Sequence, residues 1–254
     1  MSLTCTAYQY SSFTKTVRTL FVACIFCVPL AATAQHTTTH ANMLWFNYNN
    51  NISFNNKWSL ANDVQLRTRN WAERWSQFAV RTGVAYKLNN KLSVTTGIAW
   101  FSTVRYFNGS PVLPNEWRPW QEIAYKIPGK KFDFSQRIRT EQRFLQRIVS
   151  GKKIDDYVYR FRLRYRFEFS FPLKKEKINA SIGNEVMINP GHFSDSLLFD
   201  QNRTFFLTDF ILSKSTTFQF QFVKLFQWQA ADRILDDQNV FRFSIHQRFA
   251  LKHK

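Results

Sequence analysis

From Asp155 to Phe171 the chain alternates with a period of two. Tyr157, Tyr159, Phe161, Leu163, Tyr165, Phe167, Phe169 and Phe171 share one parity, while Asp156, Val158, Arg160, Arg162, Arg164, Arg166, Glu168 and Ser170 share the other. Successive side chains of a β-strand point to opposite sides, so this segment predicts a strand with one aromatic face and one face carrying four arginines in a row. A soluble sandwich hides a modest apolar face in a shared core. Here the apolar face is unusually large and the polar face unusually charged. Lipid outside and a polar lumen inside satisfy both faces at once, which is the arrangement of a transmembrane β-barrel.

Strand-like alternation recurs at 43–54, 57–70, 74–88, 91–106, 115–127, 131–147, 155–171, 177–189, 199–213, 216–229 and 238–251. The fold class is therefore all-β, a transmembrane up-and-down antiparallel barrel of about ten to twelve strands. The connections alternate in length. Asn89-Asn90, Pro128 to Lys131, Pro172 to Glu176 and Lys214-Ser215 form a short set, and Phe107 to Pro114, Ile148 to Ile154, Pro190 to Leu198 and Ala230 to Asp237 a longer one. Outer-membrane barrels pair short periplasmic turns with longer external loops. Eleven antiparallel strands would leave the N-terminus outside, so the reading takes ten or twelve and favours twelve.

Lys15 and Arg18 precede the apolar run Leu20 to Ala32, which ends in Ala32-Thr33-Ala34. This is the pattern of a secretory leader, 1–34, cleaved before Gln35, with the barrel occupying 35–254. The run is about a dozen residues, short of the roughly 20 that a spanning helix needs, and Pro29 interrupts it. Cys24 and Cys27 raise a lipoprotein alternative, but Phe21-Val22-Ala23 is a poor lipid-attachment box. All three cysteines, Cys5, Cys24 and Cys27, lie in the leader, so the mature chain has no disulfide, thiolate metal site or cysteine nucleophile. Two basic residues and no acid go with the leader, leaving 33 basic against 17 acidic residues, a balance of +16. Such a charge attracts nucleic acid, lipopolysaccharide phosphates or an anionic solute. The export signal and the absence of any recognition-helix, zinc-finger or RNA-binding pattern exclude nucleic acid.

The parity rule places Glu116, Arg118 and Glu122 inside on one strand, and Arg137, Arg139, Glu141 and Arg143 inside on the next. Pairing Ile127 with Phe132 sets Glu122 opposite Arg137, Arg118 opposite Glu141, and Glu116 opposite Arg143. On the following hairpin Arg162 stands opposite Glu141, Arg139 near Arg164 and Arg143 near Arg160, with Glu185 predicted to face Arg164. Same-face neighbours lie about 5–7 Å apart, so the arginines repel unless carboxylates or water intervene. Their excess over acids predicts a wet interior, a bound anion, or both, beside the simpler reading of a ladder that braces the wall.

Glu116-Trp-Arg-Pro-Trp-Gln121, Arg137-Ile-Arg-Thr-Glu-Gln-Arg143, the Arg160 to Arg166 alternation, Asn184-Glu185 and Asn202-Arg203 resemble the recurring motifs of the domain-of-unknown-function family numbered 2490. The resemblance covers essentially all of the mature chain and implies an outer-membrane barrel without an activity. Phe241 to Phe249 is similar to the C-terminal signal read by the barrel-insertion machinery of Gram-negative bacteria, although Ala250 to Lys254 follow the last aromatic.

Three functions follow as expectations. The leading one is a passive channel or binding site for small polar or anionic solutes. The second is a structural envelope barrel plugged by its own Arg/Glu network. The third, a lipid-modifying hydrolase, has only Ser244 and His246 on one inward face, about 7 Å apart and out of hydrogen-bond reach, with His192 in a loop. Histidines 36, 40, 192, 246 and 253 have no useful metal spacing, and no metal or other cofactor is expected. Asp195, Asp236 and Asp237 are read as solvated loop acids or weak calcium ligands, and Lys152 and Lys153 as a loop tip able to touch lipopolysaccharide. The expected partners are outer-membrane lipid and lipopolysaccharide, the insertion machinery, and a small anionic solute.

Overall fold

The alternating segments all become strands in the computed structural model, which describes residues 37–191, 198–229 and 234–251. The predicted leader, its three cysteines, His36, His192, Asp195 and His253 lie outside those residues. The strands are β1 (Thr37–Ser53), β2 (Trp58–Arg69), β3 (Arg74–Lys87), β4 (Leu92–Thr103), β5 (Arg105–Phe107), β6 (Ser110–Val112), β7 (Asn115–Ile127), β8 (Asp133–Val149), β9 (Lys152–Lys174), β10 (Ile178–Ile188), β11 (Phe199–Ile211), β12 (Thr216–Gln229) and β13 (Ile234–Ala250). Eleven close into a barrel in the order β1-β13-β12-β11-β10-β9-β8-β7-β4-β3-β2, while β5 and β6 pair as a separate hairpin in the β4–β7 connection.

The all-β barrel is as expected, and eleven strands fall inside the expected range, although not at the favoured twelve. An odd number of alternately directed strands leaves the first and last running the same way. Accordingly β1 pairs with β13 in parallel, from Thr37 opposite Ile234 to Ser53 opposite Ala250, and every other neighbouring pair in the barrel is antiparallel. Eleven is set aside from sequence because it leaves the N-terminus at the loop end, and β1 does begin there, at the rim opposite the end of β13. The parallel seam leaves no open edge.

Trp71 clasps the seam. Its backbone is left-handed (φ 60°), a conformation that costs a bulky residue about 1–3 kcal/mol and persists only where its surroundings impose it. Here its N–H donates to the Asn42 carbonyl at 2.8 Å, its carbonyl accepts from the Thr68 hydroxyl, and its ring stacks on Phe241 at 5.3 Å. The β2–β3 connection thereby reaches over β1 to touch β13.

The two rims differ. Connections 54–57, 88–91, 128–132, 175–177 and 212–215 gather at one end, the short-turn rim. At the other, the loop rim, the expected loop from Ile148 to Ile154 is mostly strand, because Ser150 and Gly151 (φ 49° and 75°) make a two-residue turn of the mirror-image kind that hairpin twist favours. The Phe107 ring lies so close to Gly151 that a Cβ there would come within 2.6 Å of it, tying the β5–β6 hairpin to the β8–β9 turn.

Outward-facing positions are mostly apolar, with Ile123, Ile138, Ile182 and Phe206 about half exposed and aromatic rings paired across strands, as Phe134 with Phe169 at 4.8 Å, interrupted by hydrogen-bonded amides such as Gln121 with Gln142 and Asn184 with Asn202. Inward-facing positions hold the charges and two apolar clusters, one of Met43, Trp45, Phe205, Leu207, Val223, Leu225 and Val240, the other of Ala79, Ala99, Phe101 and Trp120. Glycine makes room for Trp120: a Cβ on Gly83 or Gly97 would stand 2.6 or 2.8 Å from its ring.

The seam has a direct test. Tyr48 and Ile245 are register partners. A Tyr48→Cys, Ile245→Cys variant is expected to cross-link by mild oxidation within one chain, while Leu44→Cys, Phe249→Cys, placed toward opposite ends of the same seam, is not. The reverse pattern on non-reducing gels contradicts parallel closure.

Candidate functional site

Charge inside the barrel divides between two walls. On β7 to β11 the arginines are met by carboxylates in one continuous network. Glu116 accepts from Arg118 and Arg143, each at 2.5 Å. Arg118 reaches Glu141 at 3.5 Å, and Glu141 accepts from Arg164 at 2.5 Å. Arg164 also donates to Glu185 at 2.8 Å, and Arg137 bonds Glu185 as well. Glu122 takes Arg139 at 2.6 Å and Arg137 at 3.5 Å. Arg162 lies between Glu141 at 3.7 Å and Asp200 at 2.8 Å, and Arg203 stands 3.7 Å from Glu185. Arg166 pairs with Glu168 on its own strand, toward the short-turn rim.

On β7–β8 and β9–β10 the residues meet through registers that differ from the expected ones by two, while the β8–β9 register is the expected one. Ile127 pairs with Phe134 rather than Phe132, so Glu122 is opposite Arg139 and Ala124 opposite Arg137. The Gly129 N–H donates to Asp133, which closes the turn two residues later than assumed. Glu185 likewise stands opposite Arg166, not Arg164. A shift of two keeps each side chain on its face, and arginine is long enough to reach a carboxylate diagonally. On the β8–β9 hairpin Glu141 is opposite Arg162, Arg139 opposite Arg164 and Arg143 opposite Arg160. Arg160 is the exception to the network. It is exposed near the loop rim and makes no ion pair among the described residues.

The expected reading of Asp236 and Asp237 as loop acids needs correction, because β13 begins at Ile234. Asp236 is 1% exposed and takes the Thr39 hydroxyl at 2.9 Å, the Gln238 amide at 2.7 Å and Arg69 at 3.2 Å. Asp237 pairs with Lys224 at 2.6 Å. Lys152 and Lys153 open β9 and are exposed. Ser244 and His246 face inward, Ser244 opposite Gln219 and His246 opposite Thr217.

On the other wall Arg81 pairs with Asp63 at 3.0 Å and Arg69 with Asp236, but Arg67 and Arg242 are held by amides. Arg67 donates to Gln77 at 2.7 Å and to Gln65 at 2.6 Å. Arg242 donates to Gln221 at 3.3 Å, and Arg203, at the boundary, to Gln201 at 2.8 Å. A glutamine carbonyl fixes a guanidinium in place without cancelling its charge. Neither Arg67 nor Arg242 has a carboxylate within 4.0 Å among the described residues. Aromatic faces complete the support, with the guanidinium carbon of Arg67 4.0 Å from the Trp45 ring centre, Arg118 3.8 Å from Phe101, Arg139 4.5 Å from Trp120 and Arg166 4.3 Å from Phe205. Each such contact contributes about 0.5–2 kcal/mol.

Between the walls lies a cavity of about 820 Å³, whose lining extends from Ser76 and Arg105 by the loop rim to Asn51 and Arg248 by the short-turn rim. Fourteen arginines and five acids line it. Among the described residues no group of three or more His, Cys, Asp or Glu side chains could hold a metal ion. Reasoning from sequence passed over Arg67, Arg242, Asp200 and the glutamines. The alternation on β2 and β13 carried the arginines, but neutral partners leave no charge pattern to notice.

The network predicts an asymmetric mutational response. Glu141→Ala takes one of two carboxylates from each of Arg164, Arg118 and Arg162, leaving buried positive charge in excess, and is expected to destabilise the barrel by about 3 kcal/mol, whereas Arg160→Ala, exposed and without an ion pair among the described residues, changes stability by less than about 0.5 kcal/mol. Urea midpoints read from heat-modifiable gel mobility check both. Equal midpoints for the two variants contradict the network.

No curated protein matches the sequence. The family model described as a protein of unknown function, DUF2490, matches residues 42–236, spanning β1 into β13 and with them the whole ion-pair network. On that match the chain belongs to the DUF2490 family.

Proposed function

We propose that the protein is an outer-membrane β-barrel, exported behind a cleaved leader, whose water-filled lumen admits and holds small anions. The outward apolar face supports the membrane part of this reading. In water it would expose a continuous girdle of large hydrophobic side chains, and in lipid it is satisfied. Barrel strands of 11 to 23 residues meet or exceed the roughly 9–11 that a tilted spanning strand needs.

The observation that carries the anion reading is the neutral support of Arg67 and Arg242. An arginine held by glutamine keeps its full charge toward the cavity. Ten exposed lysines at the short-turn rim, Lys57, Lys87, Lys91, Lys126, Lys130, Lys131, Lys174, Lys175, Lys177 and Lys214, outnumber Asp133, Glu168 and Glu176, the acids near that rim among the described residues. Such a ring raises the local concentration of anions at that mouth. Arg137 and Arg166 line both the main cavity and a smaller one of about 350 Å³ beside the Lys87 to Lys91 turn, so basic groups continue inward from the rim.

The continuous carboxylate network favours a second reading, a barrel braced and plugged by its own ion pairs. Planar-bilayer recording separates the two. The anion reading predicts stable openings whose reversal potential under a salt gradient favours anions, with the preference falling several-fold in Arg67→Gln, Arg242→Gln. A correctly folded barrel that is silent, or that prefers cations, contradicts it and leaves the structural reading.

A further inference from the structure

The cavity wall around Trp45 differs from the rest of the lumen. Trp45 stands between Arg67 and Arg242 in strand register, each being its direct partner on a neighbouring strand. The guanidinium carbons of Arg67 and Arg203 lie 4.0 and 5.4 Å from its ring centre. Two guanidinium groups thus stand over one indole with Arg242 beside it in register, and among the described residues the only carboxylate within 4.0 Å of the three is Glu185, 3.7 Å from Arg203 and shared with Arg164 and Arg137.

Unused hydrogen-bond capacity at the same place points to the ligand. Trp45 is 3% exposed, yet its Nε1 has no acceptor, and the Nε atoms of Arg67, Arg203 and Arg242 have none either. All four groups are donors. A buried donor without an acceptor is costly and uncommon. What the cluster lacks is an acceptor-only group of more than one negative charge, and a tetrahedral oxyanion is that group.

We propose that Trp45, Arg67, Arg203 and Arg242 form a binding site for the doubly charged oxyanion of inorganic phosphate, or of a small phosphomonoester. The site rests on the anion reading of the lumen and adds to it a location and a ligand class. Guanidinium forks match phosphate oxygens better than they match a spherical halide, so the site discriminates by geometry as well as charge. The cavity of about 820 Å³ lies within the size range of small-molecule sites, leaving room for the organic part of a monoester.

Glutamine supplies the discriminating variant. Gln77→Glu, Gln201→Glu keeps an oxygen where each arginine already donates but neutralises the two cations in place. The test titrates the refolded full chain in maltoside micelles, following tryptophan fluorescence, with inorganic phosphate, glycerol phosphate, short-chain phosphatidic acid and, at matched ionic strength, chloride.

Expected are saturable responses to inorganic phosphate and glycerol phosphate, loss of the response in Trp45→Phe, and affinity at least about tenfold weaker in Gln77→Glu, Gln201→Glu. Heat-modifiable mobility verifies that the double variant is folded. If it is not, Arg242→Gln is read instead, with the same weakening expected. An equal response to chloride, a response to phosphatidic acid alone, or unchanged affinity in a folded variant overturns the proposal. Anion-preferring conductance without phosphate saturation removes this site and leaves the passage. Phosphate saturation in a silent barrel removes the passage and leaves the site.

Discussion

Like charge crowded into a confined lumen is the constraint on which the rest of this structure depends. Guanidinium groups on adjacent strands stand within several ångströms of one another, and burial raises the cost of leaving them unmatched. The chain meets the constraint in two ways. On β7 to β11 the glutamates at the centre of the network are shared, Glu141 among Arg118, Arg162 and Arg164, and Glu185 among Arg137, Arg164 and Arg203. Near the seam glutamines hold Arg67 and Arg242 without neutralising them. The first solution spends charge on stability. The second preserves it for whatever enters the cavity.

The outward face follows from the same alternation. Each inward arginine of β9 fixes an outward neighbour, and those neighbours are aromatic almost without exception. In the lipid setting proposed for it, such a wall has to close, since an open sheet would leave an unpaired edge in an apolar surrounding. Closure with eleven strands requires one parallel pair, and the Trp71 clasp lies over that pair. The strain at Trp71 and the parallel seam are therefore parts of one feature, the place where the chain's first and last strands meet.

Parity was legible throughout the sequence, and register only on the β8–β9 hairpin, where Glu141 stands opposite Arg162 as expected. The period of two placed Arg137, Arg139, Glu141 and Arg143 on the inward face without any knowledge of turns, because a face depends only on counting by twos. Register depends on where a turn closes, and the Gly129–Asp133 hydrogen bond that delays the β7–β8 turn has no distinctive pattern beforehand. Strands β7 and β12 have the bounds that alternation assigned, whereas β9 runs past its aromatic run at both ends because the β8–β9 ribbon continues to a two-residue turn. The parallel seam was out of reach because nothing within β1 or β13 encodes the direction of its partner. The glutamine-held arginines escaped notice for a chemical reason: complementary charge is visible in a sequence, and a neutral acceptor beside a cation is not.

The central claim is that the lumen is wet and presents uncancelled positive charge beside Arg67. Thr103 lines the cavity and accepts from Gln77, the same glutamine that holds Arg67. Since all three cysteines precede residue 28, Thr103→Cys places a single thiol in the barrel. The rate of its modification by anionic and by cationic methanethiosulfonate reagents of similar size reads the local charge directly. The account predicts faster reaction with the anionic reagent, by a ratio that falls as salt is raised. Equal rates, a preference for the cationic reagent, or a thiol that neither reagent reaches would contradict it.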